Sequence, residues 1–313
     1  MSDPAHYDLQ HFNRMLNDAR GEALLASLRS TITPDHVVLD LGTGTGLLAL
    51  AAAKLGAQRV YACDPNPAVH VGARLAEANG LSERIDWIQT LSTALELPER
   101  VDVIINGVRG ALPWCGTAIP SMADARRRFL TRDGTVVFER DTVWAAIVDA
   151  DDYYRHSLDV TLGAAVGLDL SPLQRLVRNQ MVTGPLPETA HRVTNPARVA
   201  ILDYRTIEDP SLSVRLRWQV TRPGVGHGVY LWFDAELAGG ASFSSLDSEA
   251  YGALFPWTTP VSLSPGDEVD VHLRADLVAD VYVWRWQTRV VKVGAAAPPR
   301  EMSQSTFAGS LWN

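Results

Sequence analysis

The spacing of apolar and polar positions divides the chain into two regions with different periods. In residues 37–144, short apolar runs alternate with segments whose apolar positions recur every three or four residues, which predicts strands that alternate with helices. Such alternation indicates a parallel sheet with right-handed crossovers. The predicted strands are Val37–Leu41, Val60–Cys63, Ile85–Gln89, Val101–Asn106 and Thr135–Phe138, and the predicted helices are Leu47–Leu55, Pro67–Asn79 and Met122–Phe129.

From Thr189 onward the period changes to two. Short runs rich in Val, Trp and Tyr are bounded by Gly, Pro, Asp and Ser, which favours an antiparallel β-sandwich or barrel. The predicted fold class is therefore α/β, with a Rossmann-like domain over residues 1–142 and a β-barrel domain over residues 143–313. The last stretch, residues 294–313, shows little periodicity and is expected to be a poorly ordered tail.

The segment before the first strand has its own pattern. In residues 6–30, apolar side chains recur at spacings of three and four, which predicts one or two amphipathic helices. This segment either folds over a ligand as a lid or packs on the sheet.

Composition narrows the classes of partner. The chain has 313 residues, enough for two domains, and a net charge of −8, which argues against a nucleic-acid partner. Its two cysteines, Cys63 and Cys115, form no metal-ligand pattern, so we expect a reducing cytoplasm and no structural metal. No signal peptide or membrane span is expected.

Three glycines follow the first strand. Gly42, Gly44 and Gly46 separate it from a helix, and Asp64 ends the next strand about twenty residues later, where an acid that accepts from ribose hydroxyls is expected. An ordinary βαβ turn is the alternative. The spacing G-x-G-x-G, with Asp40 before it, resembles motif I of class I S-adenosylmethionine (SAM) methyltransferases.

Further motifs resemble the protein arginine methyltransferases. Residues 15–20 (MLNDAR) are similar to the M-L-x-D-x-x-R segment of that family, one residue shorter, and residues 42–57 (GTGTGLLALAAAKLGA) to its G-x-G-T-G-x-L-x-x-x-A-A-x-A-G-A. Residues 102–105 (DVII) resemble its D-x-I-I strand, and residues 167–171 (GLDLS) the start of its dimerisation arm. The resemblance covers nearly the whole chain. It implies SAM as cofactor and a homodimer formed through an arm at about residues 153–182.

The resemblance also implies a cofactor site. Arg20 would pair with the SAM carboxylate, the glycines would pass under the methionine part, Asp64 would hold the ribose, and Ser92 and Thr93 would lie beside the adenine. Ordinary scaffold roles are the alternative for each. The complete candidate set is Arg20, Asp40, Gly42, Thr43, Gly44, Gly46, Asp64, Pro65, Ser92, Thr93 and Asn106.

The acceptor loop departs from the family. Where the family has S-E-x-M-G-x-x-x-x-x-E, with two glutamates that grip a guanidinium, residues 106–116 read NGVRGALPWCG. Gly107 and Gly116 occupy the glutamate positions, and Arg109 adds a positive charge that would repel a guanidinium. The family's T-H-W motif is also missing from residues 248–250. These departures predict an acceptor other than arginine.

A small branch of the family methylates indole C3 of tryptophan-containing cyclodipeptides in natural-product biosynthesis, giving pyrroloindoles, and the loop is similar to what such a branch would show. An aromatic or indole small molecule is therefore the predicted substrate. The candidate substrate residues are Val108, Arg109, Trp114, Trp232 and Trp286, with core packing as the alternative for the tryptophans. The candidate general bases are His227, Tyr7, Asp18 and Glu139, and His227 leads because its glycine-flanked loop is expected at a barrel rim.

Three other functions stay open. The protein could be a peptide or protein N- or O-methyltransferase, an arginine methyltransferase with an atypical clamp, or a non-enzymatic protein that binds SAM. An elongated groove would favour the peptide or protein methyltransferase, and methyl transfer to arginine would favour the arginine methyltransferase. SAM binding without turnover would favour the non-enzymatic protein.

Overall fold

The computed structural model describes residues 18–159, 167–247, 252–294 and 298–309. Every structural statement below refers to these ranges. Several parts of the predictions lie outside them, namely Tyr7, the predicted N-terminal helices before residue 18, residues 160–166 of the predicted arm, residues 248–250, and residues 295–297 and 310–313 of the last stretch.

Internal contacts divide the chain into two units. The first consists of Met1–Asp141, Leu202–Asp209 and Asp234–Ser248, and the second of Thr142–Ile201, Pro210–Phe233 and Glu249–Asn313. Two later segments, Leu202–Asp209 and Asp234–Ser248, therefore belong to the first unit. A simple division into residues 1–142 and 143–313 assigns both of them to the second domain.

The first unit is built around a five-stranded parallel sheet in the order β3-β2-β1-β4-β5. All five residues of β1 are buried, as expected for a central parallel strand covered on both faces. Alanines line the buried side of the helix after β1, so that it packs closely on the sheet. The elements are α1 (Ala19–Thr31), β1 (Val37–Leu41), α2 (Leu47–Lys54), β2 (Arg59–Cys63), α3 (Val69–Ala78), β3 (Ile85–Ile88), β4 (Val101–Ile105), α4 (Ala118–Phe129) and β5 (Leu130–Val136).

The remaining strands form antiparallel sheets. One has the order β7-β13-β11-β6-β8, with β12 paired to β11 and β9 to β6, and the other the order β10-β14-β15-β16. The elements are β6 (Phe138–Asp149), α5 (Asp151–Leu158), α6 (Ser171–Val177), β7 (Val182–Thr183), β8 (His191–Arg192), β9 (Ala197–Asp203), β10 (Leu212–Gln219), β11 (Gly224–Leu237), β12 (Ser242–Ser244), β13 (Ala253–Leu263), β14 (Glu268–Val278), β15 (Val281–Val291) and β16 (Arg300–Ser305).

The predicted fold class is confirmed, with two corrections of detail. Residues 300–305, expected in a disordered tail, form β16 and pair with β15 from Arg285–Ser305 to Val290–Arg300. The expectation was wrong because this strand is short and mostly polar, so its sequence lacks an apolar alternation. The helix predicted from Met122 begins at Ala118 instead, because Pro120 is tolerated in the first turn of a helix.

The aromatic residues of the second unit are mainly core. In β15 the buried positions alternate, which directs Tyr282, Trp284 and Trp286 to the same face of the sheet. Trp286 is fully buried, and its indole nitrogen donates to the Pro256 carbonyl over 2.8 Å. No helix in the described ranges is both long and apolar enough to cross a membrane.

Candidate active site

The glycine turn after β1 adopts backbone conformations that favour glycine. Gly42, Gly44 and Gly46 have φ values of 73°, 55° and 82°, in the left-handed region. A Cβ on Gly42 would lie 2.1 Å from Cγ2 of Val108, and a Cβ on Gly46 would lie 2.2 Å from the Trp87 ring. Glycine is therefore required here both for the turn and for the close approach of neighbouring side chains.

Asp40 holds this turn to the following helix. Its Oδ2 accepts from the Thr43 hydroxyl at 2.5 Å and from the Ala49 N–H at 3.0 Å. Burial raises the pKa of Asp40 to about 7, although both hydrogen bonds oppose the shift. Asp40 and Thr43 thus support the turn from behind, and neither lines the cavity described below.

Asp64 lies at the carboxyl end of β2, opposite the glycine turn. Its Oδ2 accepts from the Gly44 N–H at 2.8 Å, and its Oδ1 accepts from the Asn66 N–H at 2.8 Å. These two backbone donors fix the carboxylate, and each oxygen keeps a lone pair for a further donor. A pair of vicinal ribose hydroxyls would fit this acceptor.

A cavity of about 280 Å³ opens beside Asp64, within the first unit. Asp64 is the only acidic residue among those that line it. The lining residues are Leu41, Gly42, Cys63, Asp64, Pro65, Leu91, Ser92, Asn106, Val108, Arg109, Cys115, Gly116, Thr117, Ala118, Ser121, Met122 and Tyr204. Burial raises the pKa of Cys63 to about 11, so its thiol stays protonated near neutral pH.

The residues of this cavity fit SAM. Asp64 provides an acceptor for ribose, and Gly42 provides backbone without a side chain. Asn106 adds a buried amide nitrogen, Nδ2, with no hydrogen-bond partner in the described part of the chain, while its Oδ1 accepts from the Phe138 N–H at 3.0 Å. A buried donor without a partner is costly, which favours a ligand at this point.

The predicted adenine residues separate into two groups. Ser92 lines the cavity, and its hydroxyl lies 3.0 Å from the hydroxyl of Ser121 on α4. Thr93 is exposed and does not line the cavity, since the short 3₁₀ turn Ser92–Ala94 directs it to solvent. Ser121 and Met122 were missed because the sequence placed the start of this helix too late.

Arg20 is buried in α1, and its Nη2 donates to the Gly107 carbonyl at 2.7 Å. It therefore contacts the loop of residues 106–116, which we call the acceptor loop. Gly116 in this loop has a φ of 47°, so a glutamate at that position would be strained. The backbone conformation at position 116 therefore favours glycine over the second clamp glutamate.

Arg109 of the acceptor loop does not present its charge to the cavity as an unpaired cation. Its Nε donates to Asp141 Oδ2 at 3.0 Å, and the side chains of both residues are almost completely buried. The argument that Arg109 repels a guanidinium is therefore wrong, because a carboxylate neutralises it. Val108 beside it is 38% exposed and lines the cavity.

His227, predicted in a glycine-flanked loop at a barrel rim, is buried in the second unit. The glycine-flanked segment is the start of β11, and Gly226 and Gly228 leave space for Trp257 and for the backbone of β13. Nδ1 of His227 lies 2.9 Å from the Val225 carbonyl oxygen, and burial lowers its pKa. The segment predicted as a loop is therefore a strand. The two ring nitrogens of His227 lie 3.4 Å from Oδ1 of Asp149 and 3.4 Å from Oδ1 of Asp151, and its role as a general base stays a prediction.

The other candidates lie in structural settings as well. Asp18 is the N-cap of α1 and accepts from the Gly21 N–H at 3.1 Å. Glu139 is half-buried, and its carbonyl accepts from the Tyr204 N–H. Trp114 and Trp232 are buried, and Trp232 belongs to an apolar cluster with Tyr230. As with Trp286, burial excludes the tryptophans from stacking on a substrate in this conformation.

Known proteins similar to this chain are methyltransferases by name. Residues 22–138 match the family model of the ribosomal protein L11 methyltransferase. The chain is 31% identical over 210 residues to protein arginine N-methyltransferase 1 of Schizosaccharomyces pombe, which is 65% of this chain and 60% of the relative. It is 29% identical over 280 residues to an arginine N(omega)-methyltransferase of Streptomyces achromogenes subsp. streptozoticus, covering 84% of this chain and 75% of the relative.

Coverage of the curated relatives is partial in some cases. The chain spans 60% of the S. pombe relative and 56% of a probable protein arginine N-methyltransferase 6 of Arabidopsis thaliana. Solved structures match over more of their length. Arabidopsis thaliana protein arginine methyltransferase 10 has a TM-score of 0.78 at 20% identity, with 95% of this chain and 98% of that chain covered.

A Trypanosoma brucei PRMT1 enzyme–prozyme heterotetramer with AdoHcy gives a TM-score of 0.79 at 19% identity, with 96% of this chain and 98% of that chain covered. The relatives and the family model are all named as methyltransferases, and this similarity is the ground for the activity proposed below. The solved structures show that the fold, a parallel Rossmann-like sheet with antiparallel β-sheets, is shared with protein arginine methyltransferases.

Proposed function

We propose that the protein transfers a methyl group from SAM to a guanidinium nitrogen of arginine, either free or within a peptide, with an atypical clamp. The S–CH₃ bond breaks to leave S-adenosylhomocysteine, an N–CH₃ bond forms, and the nitrogen releases one proton to water. The observation that carries this proposal is the alignment with the Streptomyces arginine N(omega)-methyltransferase, which extends over 84% of this chain. An arginine methyltransferase with an atypical clamp was one of the alternatives to the predicted aromatic acceptor, and it is the one preferred here.

The neutralised acceptor loop supports the same proposal. Besides the missing glutamates, one objection to an arginine substrate was the charge of Arg109, and Asp141 compensates that charge. A guanidinium approaching the loop would meet the buried ion pair, whose long-range field is weak compared with that of a single charge.

The residues of the cavity supply binding and orientation. Bound SAM supplies a methyl group on a positively charged sulfur, which is a strong electrophile. Asp64 would hold the ribose hydroxyls, the backbone at Gly42 would approach the methionine part, and Asn106 would donate its unpartnered N–H. Fixing the cofactor in this way lowers the entropic cost of reaching the reactive alignment.

Methyl transfer to an uncharged aromatic acceptor, such as an indole carbon in a tryptophan cyclodipeptide, is the second candidate. One observation favours it. Asp64 is the only acid among the cavity-lining residues, and the clamp positions are Gly107 and Gly116. A small uncharged acceptor needs no carboxylate clamp, and it would connect the protein to natural-product biosynthesis.

Homodimer formation and a cytoplasmic location are further parts of the proposal. Within the predicted arm, residues 153–182, Leu168 is 63% exposed and Leu173 is 44% exposed in the single chain. Large apolar side chains exposed close together in sequence are typical of an interface. Light scattering that gives the mass of a single chain would contradict the dimer.

Mass spectrometry of reactions with SAM tests the acceptor. The panel contains free arginine, an arginine-rich peptide, tryptophan and cyclo-Trp-Trp, and the Asp64→Asn variant serves as the control with a damaged cofactor site. Methylated arginine, dependent on Asp64, supports the proposed function. Methylation of cyclo-Trp-Trp alone would replace it with the second candidate. Calorimetric SAM binding without turnover on any acceptor would indicate a binding protein.

A further inference from the structure

Arg109 is surrounded by the kinds of group that bind a guanidinium. The guanidinium carbon lies 4.2 Å from the centre of the Phe138 ring and 4.3 Å from that of the Tyr204 ring. Nε donates to Asp141, and Nη1 donates to the carbonyls of Asn106 at 2.8 Å and Val108 at 2.9 Å. Two aromatic faces, a carboxylate and carbonyl oxygens are the groups that bind a planar cation.

The carboxylate of this set has a support other than Arg109. Asp141 is fully buried, and its Oδ2 also accepts from the Tyr204 hydroxyl at 2.6 Å. Tyr204 itself is positioned by its N–H, which donates to the Glu139 carbonyl, and by its carbonyl, which accepts from Arg126 at 2.8 Å. The contacts that hold Asp141 and Tyr204 in place therefore remain if the side chain of Arg109 is withdrawn.

Arg109 fills this set incompletely. Asp141 Oδ1 and Arg109 Nη2 are both buried, and neither has a hydrogen-bond partner within the described ranges. A guanidinium that approached the carboxylate end-on could donate to both of its oxygens. Arg109 makes a single bond through Nε, since its guanidinium also bonds to carbonyls of its own loop. An unrestrained guanidinium would thus satisfy the carboxylate better than Arg109 does.

We propose that Asp141, Tyr204 and Phe138 form a guanidinium receptor that Arg109 occupies in this structure and that the guanidinium of the acceptor occupies when Arg109 withdraws. The proposal rests on the proposed function and supplies its missing clamp. Arg109 and Tyr204 both line the cofactor cavity, so loss of the Arg109 side chain extends that cavity toward Asp141. Arg109 then acts as an internal competitor, because it lowers the fraction of molecules with an open receptor.

The first test measures binding without turnover. The Arg109→Ala variant is melted in millimolar guanidinium or methylguanidinium chloride, far below denaturing concentrations, with sodium chloride and urea as controls. We expect a rise of about 2 °C or more in its midpoint with the two guanidinium salts only. The matched control is Arg109→Met, which keeps the side-chain volume and should show no rise. A rise in neither variant, or an equal rise in both, would overturn the receptor.

A second variant shows whether Asp141 is the binding group. The double variant Arg109→Ala with Asp141→Asn keeps the space but removes the negative charge, and it should lose the stabilisation by guanidinium. Persistence of the full effect would contradict the proposal. If Arg109→Ala does not fold alone, refolding yield with and without methylguanidinium provides the same readout, and a yield that methylguanidinium does not increase counts against the receptor.

The third measurement connects the receptor to the acceptor. We expect Arg109→Ala to lower the KM for free arginine, measured at saturating SAM, by about tenfold relative to the wild type. An unchanged or higher KM would remove the role of internal competitor. Stabilisation by methylguanidinium without arginine turnover would support the receptor and reject the proposed function, so the two failures can be distinguished.

Discussion

The contacts of the Trp87 ring allow the energetic cost of a side chain in the glycine turn to be measured. Three glycines differ in what a Cβ would meet. At Gly46, φ is 82° and a Cβ would lie 2.2 Å from the Trp87 ring; at Gly72 in α3 the backbone is helical and a Cβ would lie 2.3 Å from the same ring. At Gly80, φ is 66° and nothing lies within 4 Å. Alanine at each position therefore separates backbone strain from steric overlap.

The magnitudes follow from these distances. Gly80→Ala should cost about 1 kcal/mol, the energy of left-handed backbone for an L-residue. Gly46→Ala adds overpacking to this strain and should cost about 2–4 kcal/mol. Gly72→Ala has the overlap alone, offset by about 1 kcal/mol of helix propensity, and should cost about 0–2 kcal/mol.

Urea unfolding followed by circular dichroism measures the three costs, and calorimetry measures SAM binding by the same variants. Replacing Trp87 with leucine should recover at least about 1 kcal/mol of the Gly46→Ala cost in a double-mutant cycle. The reasoning is refuted if Gly46→Ala costs no more than Gly80→Ala, or if the cycle shows no coupling, since the ring would then yield freely.

Three further predictions concern charged and titratable groups. Asp64→Asn should weaken SAM binding about 10- to 100-fold in calorimetry, because charge-assisted hydrogen bonds are lost, while Asp86→Asn in an exposed ion pair should leave it unchanged. The pKa of Asp40 is raised from 3.8 to about 7 in the folded state, so between these pH values the native state holds a proton that the unfolded chain releases. The free energy of unfolding should therefore fall by up to about 4 kcal/mol as the pH rises from 4 to 7. Asp40→Asn should abolish this pH dependence. Burial lowers the pKa of His227 below 6.5, so the contribution of its neutral ring to stability is present above that pH and is lost below it. The thermal midpoint of His227→Gln should therefore fall less on acidification than that of the wild type. Parallel curves of midpoint against pH would contradict this prediction.

The sequence was sufficient where local signals coincide. The run Val37–Leu41, the glycines after it and Asp64 are separated by short distances along the chain, and each is typical of one position in a βαβ unit. The parallel sheet, the glycine turn and the position of Asp64 at the carboxyl end of β2 were therefore predictable. Ser92 lines the cavity, whereas Thr93, one residue further, is exposed to solvent because of the 3₁₀ turn Ser92–Ala94.

What the sequence could not give depends on long-range pairing. Arg109 and Asp141 are separated by 32 residues, and Arg109 was interpreted as a free charge because nothing local marks its partner. Tyr204 is 63 positions from Asp141 and reaches it only through the register of β9 and β6. His227 was misplaced for a related reason, since glycines signal a loop in sequence but close packing within β11 in the structure.

The return of two later segments to the first unit has a consequence for synthesis on the ribosome. Residues 1–141 emerge without Tyr204, and so without the hydroxyl that bonds Asp141, and without Ala238, whose carbonyl accepts from Ser27 in α1 at 2.7 Å. At about 5–20 residues per second, Asp141 waits roughly 3–12 s for Tyr204 to be translated. During that interval the carboxylate of Asp141 lacks the hydrogen bond from Tyr204, so the native contacts of the cofactor domain cannot be completed before the antiparallel strands have begun to appear.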